Sequence, residues 1–393
     1  MIFYIVISVV VAVLIYWINF VPWYYKKNIS GTKRSAINQA RRLRKPGTNI
    51  PPPYPNGWYA LATSNEIKPG TAKSIDCLGE NFVVFRSAVT KQVYVLDAYC
   101  PHMGANLGVG GIVNGECIKC SFHHWNFNGK DGSLVDVPYS DDIEGIKKFA
   151  QLKKWTSREV NEQIFVWYHA ENEDPWEIEA IPSIESGEMV QHGSLEFEIY
   201  AHIQDIVENG ADFAHFDPIH SPNMFAGSDI TTLHNSKLSI GTHEFEAKFT
   251  PSEEKKHSTY ISLSQSMRIF GMSFFHLNAD IYQIGPGYAV VKMKTVFGES
   301  LAVQTGTPLE PLKQKFKIYL YGSRLAGLYV KLILFAQIVN VGRDVMVWNS
   351  KTFVRSPLLP KEEKQIRMYR NWFSQFYSQN SKSYQDISNN LNW

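Results

Sequence analysis

CPHMGANL at residues 100–107 and CIKCSFHHWNF at residues 117–127 are the two segments that determine which domain the first half of this chain can form. Each segment holds a short cysteine–histidine pair, Cys-x-His in the first and Cys-x-x-His in the second, and 17 residues separate the two pairs. Both pairs follow an apolar, strand-like run, so each is expected in a loop that leaves a β-strand. The four candidate metal ligands are Cys100, His102, Cys120 and His123.

The order of these residues favours an iron–sulfur cluster over zinc. Structural zinc sites usually group cysteine with cysteine and histidine with histidine. In a [2Fe-2S] cluster of the Rieske type, two cysteines bind one iron and two histidines bind the other. Two loops that each supply one cysteine and one histidine fit that arrangement. We therefore predict a Rieske cluster, with zinc as the alternative.

Two nearby residues, Cys117 and His124, could compete for this site. No glycine or proline separates Cys117 from Cys120, and residues three apart on a strand point to opposite faces. His124 is one position too far for the two-residue spacing, and we expect it, with Trp125, to pack beside the cluster or to face a partner. Cys117 and Cys77 are expected to be packed thiols.

The charge of the chain is balanced overall but uneven near the N-terminus. A net charge of +2 on 393 residues gives no basis for nucleic-acid binding, and four cysteines agree with a reducing compartment. No acidic residue precedes Glu66, whereas eight basic residues lie between positions 26 and 45. This asymmetry is typical of the segment that follows a membrane anchor.

Residues 2–21 are uncharged and long enough to cross a bilayer as a helix. Trp23, Tyr24 and Tyr25 would follow as an interfacial aromatic belt. A cleaved signal peptide is the rival interpretation, but the apolar run is longer than usual and lacks a charged start and a small-residue cleavage site. We expect an anchor over residues 1–25 and, by the positive-inside rule, a catalytic part in the cytosol, with the endoplasmic reticulum as the expected membrane.

The remaining sequence predicts two folded domains after a basic, proline-rich linker at residues 26–55. Short alternating runs broken by glycine fill residues 56–170, which is typical of an all-β domain. Residues 171–378 combine longer strand patterns with helical segments near 202–217 and 324–350, which gives the chain an α+β class. A loose polar tail is expected from residue 379 to residue 393.

The segment DIVENGADFAHFDPIHSP, residues 205–222, is a candidate second metal site. If it is a helix, His215 lies on a polar stripe, and Pro218 can break the helix and turn His220 back toward His215. Two imidazoles, one carboxylate and open coordination positions form the site of non-haem iron(II) oxygenases. Structural histidines are the alternative. The predicted stripe consists of Asp205, Glu208, Asp212 and His215.

Asp344 is the carboxylate that we expect to complete this iron site. It follows a strongly apolar helical segment at residues 325–341, so it would enter a dry interior where a metal ion would compensate its charge. A surface aspartate at a helix end is the alternative, and Asp205, Glu208 and Asp217 remain competing ligands. The same helix could flank an access route for an apolar substrate, or it could simply be a core helix.

With these motifs the chain resembles the α-subunits of Rieske non-haem iron oxygenases over about residues 54–378. Within that family it is most similar to the membrane-anchored branch that acts on sterols, the Neverland type of cholesterol 7-desaturase. The likeness to this branch rests on the N-terminal anchor and on PYPNGWYAL, CPHMGANLG, CSFHHWNFNGKDG and GADFAHFDPIH. The matching residues are Cys100, His102, Cys120, His123, Asn209, Asp212, His215, His220, Asp344 and Trp348.

The resemblance implies a β Rieske domain followed by a helix-grip catalytic domain. It also implies His215, His220 and Asp344 as ligands of a mononuclear Fe(II). Asp212 would be a bridging carboxylate between an iron-ligand histidine and the cluster ligand His123 of a neighbouring subunit, so the working unit would be a homotrimer.

The sequence contains no GxGxxG-type nucleotide site or flavin motif, so electrons from NAD(P)H are expected to arrive through a separate reductase. The resemblance implies an O2-dependent sterol desaturase that converts cholesterol to 7-dehydrocholesterol. A hydroxylase acting on a steroid or another apolar substrate, and a Rieske electron carrier without catalysis, are the alternatives.

Overall fold

The computed structural model describes residues 2–27, 50–233, 241–270 and 272–391. Helix α1, Ile2–Phe20, is the helix among them that is long and apolar enough to span a membrane, although a signal sequence would pass the same test. Strand β1, Trp23–Lys27, follows it directly. Of the eight basic residues, only Lys26 and Lys27 are in the described part of the chain.

Strand β1 spans the predicted aromatic belt and the first two residues of the predicted basic linker. It pairs in parallel with the strand at Met189–Ile199 and so forms one edge of the large sheet. The Tyr25 ring packs on Phe197, with 5.7 Å between ring centroids, and Lys26 forms an ion pair with Glu196 at 2.6 Å. The expected interfacial belt is therefore divided, because Tyr25 faces the sheet while the two preceding aromatic residues are exposed.

Three small antiparallel sheets form the first domain, as its short alternating runs predicted. Their strand orders are β10-β11-β2, β3-β4-β5 and β6-β7-β8-β9, and a short helix α2, Ile143–Lys147, precedes β10. The strands are β2 Gly57–Thr63, β3 Ala72–Cys77, β4 Glu80–Arg86, β5 Val93–Asp97, β6 Ile112–Asn114, β7 Cys117–Lys119, β8 Asn126–Asn128, β9 Leu134–Asp136, β10 Ser157–Val160 and β11 Gln163–Tyr168.

An eight-stranded mixed sheet is the frame of the second domain. Its strand order is β1-β12-β18-β17-β16-β15-β14-β13, and every pairing except that of β1 is antiparallel. Helix α3, Pro182–Glu185, leads into it. The strands are β12 Met189–Ile199, β13 Thr242–Pro251, β14 Ser258–Ile269, β15 Met272–Ile284, β16 Tyr288–Thr295, β17 Gly298–Glu310 and β18 Lys313–Ser323.

Three more helices pack around this sheet, α4 Ile203–Val207, α5 Gly327–Trp348 and α6 Lys364–Phe373, and a last helix, α7 Tyr384–Leu391, follows them in the chain. The 22-residue α5 lies against β12 and β18, with its buried face formed by residues such as Val330, Leu334 and Ile338. Gly327 begins this helix where a Cβ would approach the Ile18 carbonyl oxygen to 2.4 Å, so only glycine allows this close contact with α1.

The two domains share a buried core and are not separate bodies. Trp58 and Phe165 of the first domain pack with Tyr288 and Tyr321 of the large sheet. The stretch after residue 378 is also less loose than expected, because α7 forms there and Ile387 belongs to the core of the first domain.

The segment expected as one helix over residues 202–217 is instead a series of short turns. Helix α4 ends at Val207, and 3-10 turns follow at Glu208–Ala211 and Phe213–His215. Pro218 does not end the helical path, because it lies inside a π-helical turn at Phe216–His220. The predicted polar stripe therefore does not exist as one helix face.

Candidate metal centres

The two cysteine–histidine loops close with the same backbone geometry. The Cys100 amide donates to the Ala105 carbonyl at 2.9 Å, and the Gly104 amide donates to the Cys100 carbonyl at 2.9 Å. The second loop repeats both bonds, at 2.8 and 3.0 Å, with Cys120 and His124 at the positions of Cys100 and Gly104. The fifth residue of each loop has a positive φ, +73° for Gly104 and +60° for His124. This turn leaves His124 exposed.

The equivalent loops bring two cysteines and two histidines together. Cys100 and Cys120 are 2% and 1% exposed, and their sulfurs are within hydrogen-bonding reach of each other. Burial raises the pKa of the Cys100 thiol to about 11, although a hydrogen bond from the His102 backbone opposes that shift. The His102 and His123 rings lie 4.5 Å apart between centroids. Bound iron would hold such thiols as thiolates.

The surroundings of His102 fit a metal ligand. Its Nδ1 is buried and has no hydrogen-bond partner, which is unusual for a buried polar atom. The ring stacks on Trp125 at 4.6 Å with an interplanar angle of 6°, and the Trp125 indole N–H donates to the Tyr139 hydroxyl at 2.7 Å. Stacking holds the imidazole in place and leaves Nδ1 free for a metal. Trp125 therefore packs beside the site, whereas exposed His124 leaves only the second alternative of the expectation, that it faces a partner.

A second site forms where the turns after α4 meet helix α5. The rings of His215 and His220 are 5.1 Å apart between centroids, with the π-helical turn between them. Asp344 lies inside α5, in its last turns, and not after the helix as the apolar pattern suggested. His220 Nε2 is 3.1 Å from Asp344 Oδ1, and His215 Nε2 is 4.0 Å from it. One donor atom from each residue lies within 4.8 Å of the other two.

Electrostatics favour a neutral His215 at this second site. Burial lowers the pKa of His215 below the usual histidine value, and the charge of Asp344 opposes that shift. The Nδ1 of His215 contacts the Asp212 backbone carbonyl, which fixes the ring and directs Nε2 toward Asp344. His220 Nδ1 is buried without a partner. Two imidazoles and one carboxylate are the donor set that suits non-haem iron.

The competing carboxylates are occupied elsewhere or point away. Asp205 forms a 2.7 Å ion pair with Lys351. Glu208 binds the Arg370 guanidinium through both oxygens, at 2.6 and 2.8 Å. Asp217 is exposed on the outer side of the π-helical turn. None of these three carboxylates belongs to the cluster of donor atoms found among the described residues.

Asp212 lies at the outer edge of the iron site. Its carboxylate is 3.8 Å from His215 Nδ1, and the side chain is 36% exposed. The side chain can therefore contact His215 on one side and a second molecule on the other. Asn209 approaches the other ring nitrogen of His215, with 3.1 Å between its amide nitrogen and Nε2.

Arg343 is a residue near the site that the sequence reasoning did not single out. It is fully buried and donates hydrogen bonds to four backbone carbonyls of the segment around His220. Its position next to the expected ligand Asp344 was the only sign in the sequence that it belongs to the site. The carbonyls that it binds are more than 100 residues away in the sequence. The acceptors are Ile219, Pro222, Asn223 and Gly227.

A cavity of about 260 Å³ opens beside the iron site, between α5 and the large sheet. Its walls are mainly apolar, and Asp344 is the one acidic residue among the described lining residues. A few uncharged amides interrupt the apolar wall. Such a cavity fits a hydrophobic molecule with few polar groups. Representative lining residues are Phe216, Leu263, Leu277, Met293, Phe316, Trp348, Gln304, Gln337 and Asn340.

Comparison with known protein families agrees with both domains. Residues 57–154 match the family described as Rieske [2Fe-2S] domain, and residues 166–377 match the 3-ketosteroid 9alpha-hydroxylase C-terminal domain. The chain thus has the domain pair of a Rieske oxygenase. Solved structures share its fold, among them the terminal oxygenase of carbazole 1,9a-dioxygenase from Novosphingobium sp. KA1, with a TM-score of 0.60, 17% identity, and coverage of 88% of this chain and 100% of that one.

Similar proteins narrow the family further. The chain is 40% identical to the cholesterol 7-desaturase nvd of Drosophila melanogaster, over 96% of this chain and 92% of that protein. It is 35% identical to the cholesterol 7-desaturase of Caenorhabditis elegans, over 88% and 82% of the two chains. The chain therefore belongs to the Rieske oxygenase family that includes the Neverland cholesterol 7-desaturases. The predicted family and the predicted cofactors, a [2Fe-2S] cluster and mononuclear iron, are confirmed.

Proposed function

We propose that this protein is an O2-dependent sterol desaturase that converts cholesterol to 7-dehydrocholesterol by introducing the C7–C8 double bond. The observation that carries the proposal is the convergence of His215, His220 and Asp344 on the wall of an apolar cavity. Relatives that share 35–42% identity with this chain are named cholesterol 7-desaturases, which supports the choice of sterol and reaction.

In this proposal each domain holds one metal group. Residues 56–170 form the Rieske domain, in which Cys100 and Cys120 bind one iron and His102 and His123 the other. Residues 171–378 form the helix-grip catalytic domain, in which His215, His220 and Asp344 bind Fe(II). Bound iron supplies the site where O2 is reduced and a ring hydrogen is removed.

The protein's own residues orient and isolate the substrate. The apolar cavity removes water from a hydrophobic ring system and places it beside the two histidines. The Asp212 backbone carbonyl holds the His215 ring, while its carboxylate, 36% exposed, can accept a hydrogen bond from His123 of a neighbouring subunit. This bridge requires a homotrimer in which each cluster serves the iron of the next protomer.

The overall reaction requires an external source of two electrons. Desaturation consumes the sterol, O2, NAD(P)H and one proton, and it yields the C=C product, two waters and NAD(P)+. Two of the four electrons that reduce O2 come from the sterol and two from NAD(P)H. A separate NAD(P)H-dependent reductase would deliver the latter. A ferredoxin forms a complex with the oxygenase of carbazole 1,9a-dioxygenase, which supports a separate electron-transfer partner for a protein of the same fold.

We further propose that α1 is a single-pass membrane anchor and that the catalytic part faces the cytosol, at the endoplasmic reticulum. The helix is uncharged and none of its most apolar 18-residue window is buried in the protein. An anchored enzyme meets a lipid-dissolved sterol without extracting it into water first.

The deciding experiment incubates the purified protein with cholesterol, O2, a reductase and NAD(P)H, and identifies the product by mass spectrometry. Loss of two hydrogens with formation of 7-dehydrocholesterol is expected. A product that gains one oxygen would instead establish a hydroxylase.

The hydroxylase alternative has its own support, since the C-terminal domain matches the ketosteroid hydroxylase family and the chain is 28% identical to a 3-ketosteroid-9-alpha-monooxygenase of Rhodococcus rhodochrous. If no product forms although both metal groups are present, the result would favour the alternative that the protein is an electron carrier without catalytic activity.

A further inference from the structure

The C-terminal end of α1 is bound firmly to the start of helix α5. The Gly327 amide donates to the Asn19 side-chain oxygen at 3.0 Å. The Lys331 ammonium group donates to the carbonyls of Trp17, Ile18 and Val21, at 3.1, 2.7 and 2.7 Å. These carbonyls end the α1 helix, so Lys331 neutralises the negative end of its dipole. The start of α5 therefore lies where α1 would leave a bilayer.

The outer side of α5 is apolar at this end. Leu328, Leu332 and Phe335 are 59%, 55% and 36% exposed, and their spacing of four and three residues places them on one helix face. The opposite face packs on the large sheet. A soluble protein gains nothing from exposing this stripe of large side chains, so it calls for an apolar partner.

The hairpin between β16 and β17 extends the same apolar surface. Val296 and Phe297 at its tip are 82% and 63% exposed. The Phe297 ring packs on Tyr329 of α5 at 5.8 Å, and Thr295 donates a hydrogen bond to the Tyr329 hydroxyl at 2.9 Å. The hairpin tip and the start of α5 are therefore fixed next to each other. We call this surface the apolar rim: Leu325, Leu328, Leu332, Phe335, Val296 and Phe297.

We propose that the apolar rim is a second membrane contact, which dips into the leaflet that α1 leaves. The argument for a lipid partner is continuity, because the rim begins at the residues that contact the end of α1. Exposed Arg324, next to Leu325, adds a positive charge at the level of the lipid headgroups. Apolar side chains beside basic residues are the composition of helices that lie in a membrane interface.

The rim lies close along the chain to residues that line the cavity. Met293 lines the cavity and lies three residues before Val296, while Gln337 lines it two residues after Phe335. Helix α5 carries the rim at its start and Asp344 about 25 Å further along, at ~1.5 Å per residue. A sterol could then move from the leaflet to the iron site along one helix. This last step rests on the proposed sterol substrate, whereas the membrane contact itself does not.

The test measures the depth of a fluorescent label in the full-length protein in phosphatidylcholine–phosphatidylserine vesicles. The label is attached to a single new cysteine in a Cys117→Ser background, because the other three cysteines are buried. Rim labels are placed with Leu332→Cys and Phe297→Cys. Val89→Cys, at a 76% exposed position of the first domain, is the matched control, and Val10→Cys reports insertion of α1.

Lipids with brominated acyl chains are expected to quench both rim labels and the label at position 10, but not the label at position 89. Rim labels that stay as unquenched as the control would overturn the proposal, whatever α1 does. Quenching at the rim without quenching at position 10 would support the rim and refute the anchor, so the two proposals fail separately.

A second measurement uses activity. Leu332→Asp is expected to raise the apparent KM for sterol supplied in vesicles several-fold and to leave kcat unchanged. With sterol supplied from cyclodextrin, the variant should match the unmodified protein. If the apparent KM rises equally with sterol from vesicles and from cyclodextrin, the substitution damages the fold or the cavity, and the result would count against a membrane role of the rim.

Discussion

Arg343 Nη1 donates a hydrogen bond to the Ile219 carbonyl at 2.9 Å. Arg343 is the neighbour of Asp344 in the chain, and Ile219 is the neighbour of His220, so this bond links the two ligand-bearing segments. The two ligands come from segments more than 120 positions apart, and this guanidinium fixes their spacing. An arginine fork can bind several carbonyls at once, whereas a lysine ammonium group cannot reach the same set.

We therefore expect Arg343→Lys to lose most of its mononuclear iron and to lower the free energy of unfolding by about 3 kcal/mol, since buried carbonyls lose charge-assisted bonds. Iron content, the visible spectrum of the cluster and urea denaturation measure these effects. Arg268→Lys, which alters an exposed pair with Glu244, is the control. Full iron occupancy in Arg343→Lys would contradict the positioning role.

Asp344→Asn should remove iron binding, because an amide oxygen replaces the only acidic ligand of the three-residue site. Turnover is expected to fall at least ~100-fold, a size typical for loss of a metal or its orienting partner. Asp205→Asn changes a buried carboxylate that pairs with Lys351 and should keep its iron. If the two variants lose iron equally, Asp344 is not a specific ligand.

The equivalence of the two cluster loops predicts which of four neighbouring residues matter. His123→Ala should abolish the cluster's visible absorption and its acid-labile sulfide, whereas His124→Ala, at an exposed position with positive φ, should retain both. Cys120→Ser and Cys117→Ser form a second pair with the same expected contrast. A colourless Cys117→Ser protein that folds normally would refute the assignment of ligands.

Asp212→Asn is expected to retain both metal groups and still turn over about 10- to 100-fold more slowly, because the proposed bridge between subunits would lose its charge. Single-turnover oxidation of the reduced cluster by O2 plus substrate separates this defect from loss of iron. Asp217→Asn, exposed on the adjacent turn, is the control and should behave normally. Normal single-turnover kinetics in Asp212→Asn would exclude the bridging role.

Glu66 predicts a pH-dependent contribution to the interface between the domains. Burial raises its pKa, but the hydrogen bond from Lys73 and the charge of Lys317 on β18 outweigh burial and lower it to about 2. A lowered carboxyl pKa stabilises the fold above the unfolded value near 4.5 and loses that effect as the pH falls toward 2.

Glu66→Gln should therefore lower the urea midpoint at neutral pH by an amount equivalent to at most about 1 kcal/mol, and the difference from the unmodified protein should shrink below pH 4.5. Glu299→Gln, which alters an exposed pair with Lys294, is the control. A difference that stays constant down to pH 2.5 would show that the pair contributes through packing and not through charge.

Local sequence motifs predicted which metal groups this protein binds better than they predicted the path of the backbone around them. The spacing of Cys100, His102, Cys120 and His123 sufficed for the cluster, because one short loop positions each pair. The histidines at 215 and 220 were also brought together as expected. The backbone path between the two histidines was not predicted correctly. A π-helical turn accommodates Pro218, where the rules for a regular helix predict a break.

Contacts between distant segments left no local pattern in the sequence. Nothing in the run WYYKK indicates that it adds a parallel strand to β12, because edge pairing depends on a partner nearly 170 residues away. The same holds for Arg343, whose acceptors are backbone carbonyls that any residue type could supply. The polar composition after residue 378 also concealed Ile387, which packs that helix into the core of the first domain.

The pairing of β1 with β12 determines where the chain can be shortened. Gly193 on β12 lies so close to the Trp23 carbonyl oxygen, 2.3 Å from where a Cβ would be, that only glycine allows this strand pairing. Removing residues 1–22 keeps the edge of the sheet covered. Removing residues 1–27 would leave the part of β12 from Gly193 to Phe197 with unpaired backbone groups at the sheet edge, which is a template for aggregation. A shortened form of the protein should therefore begin at Trp23 and not after Lys27.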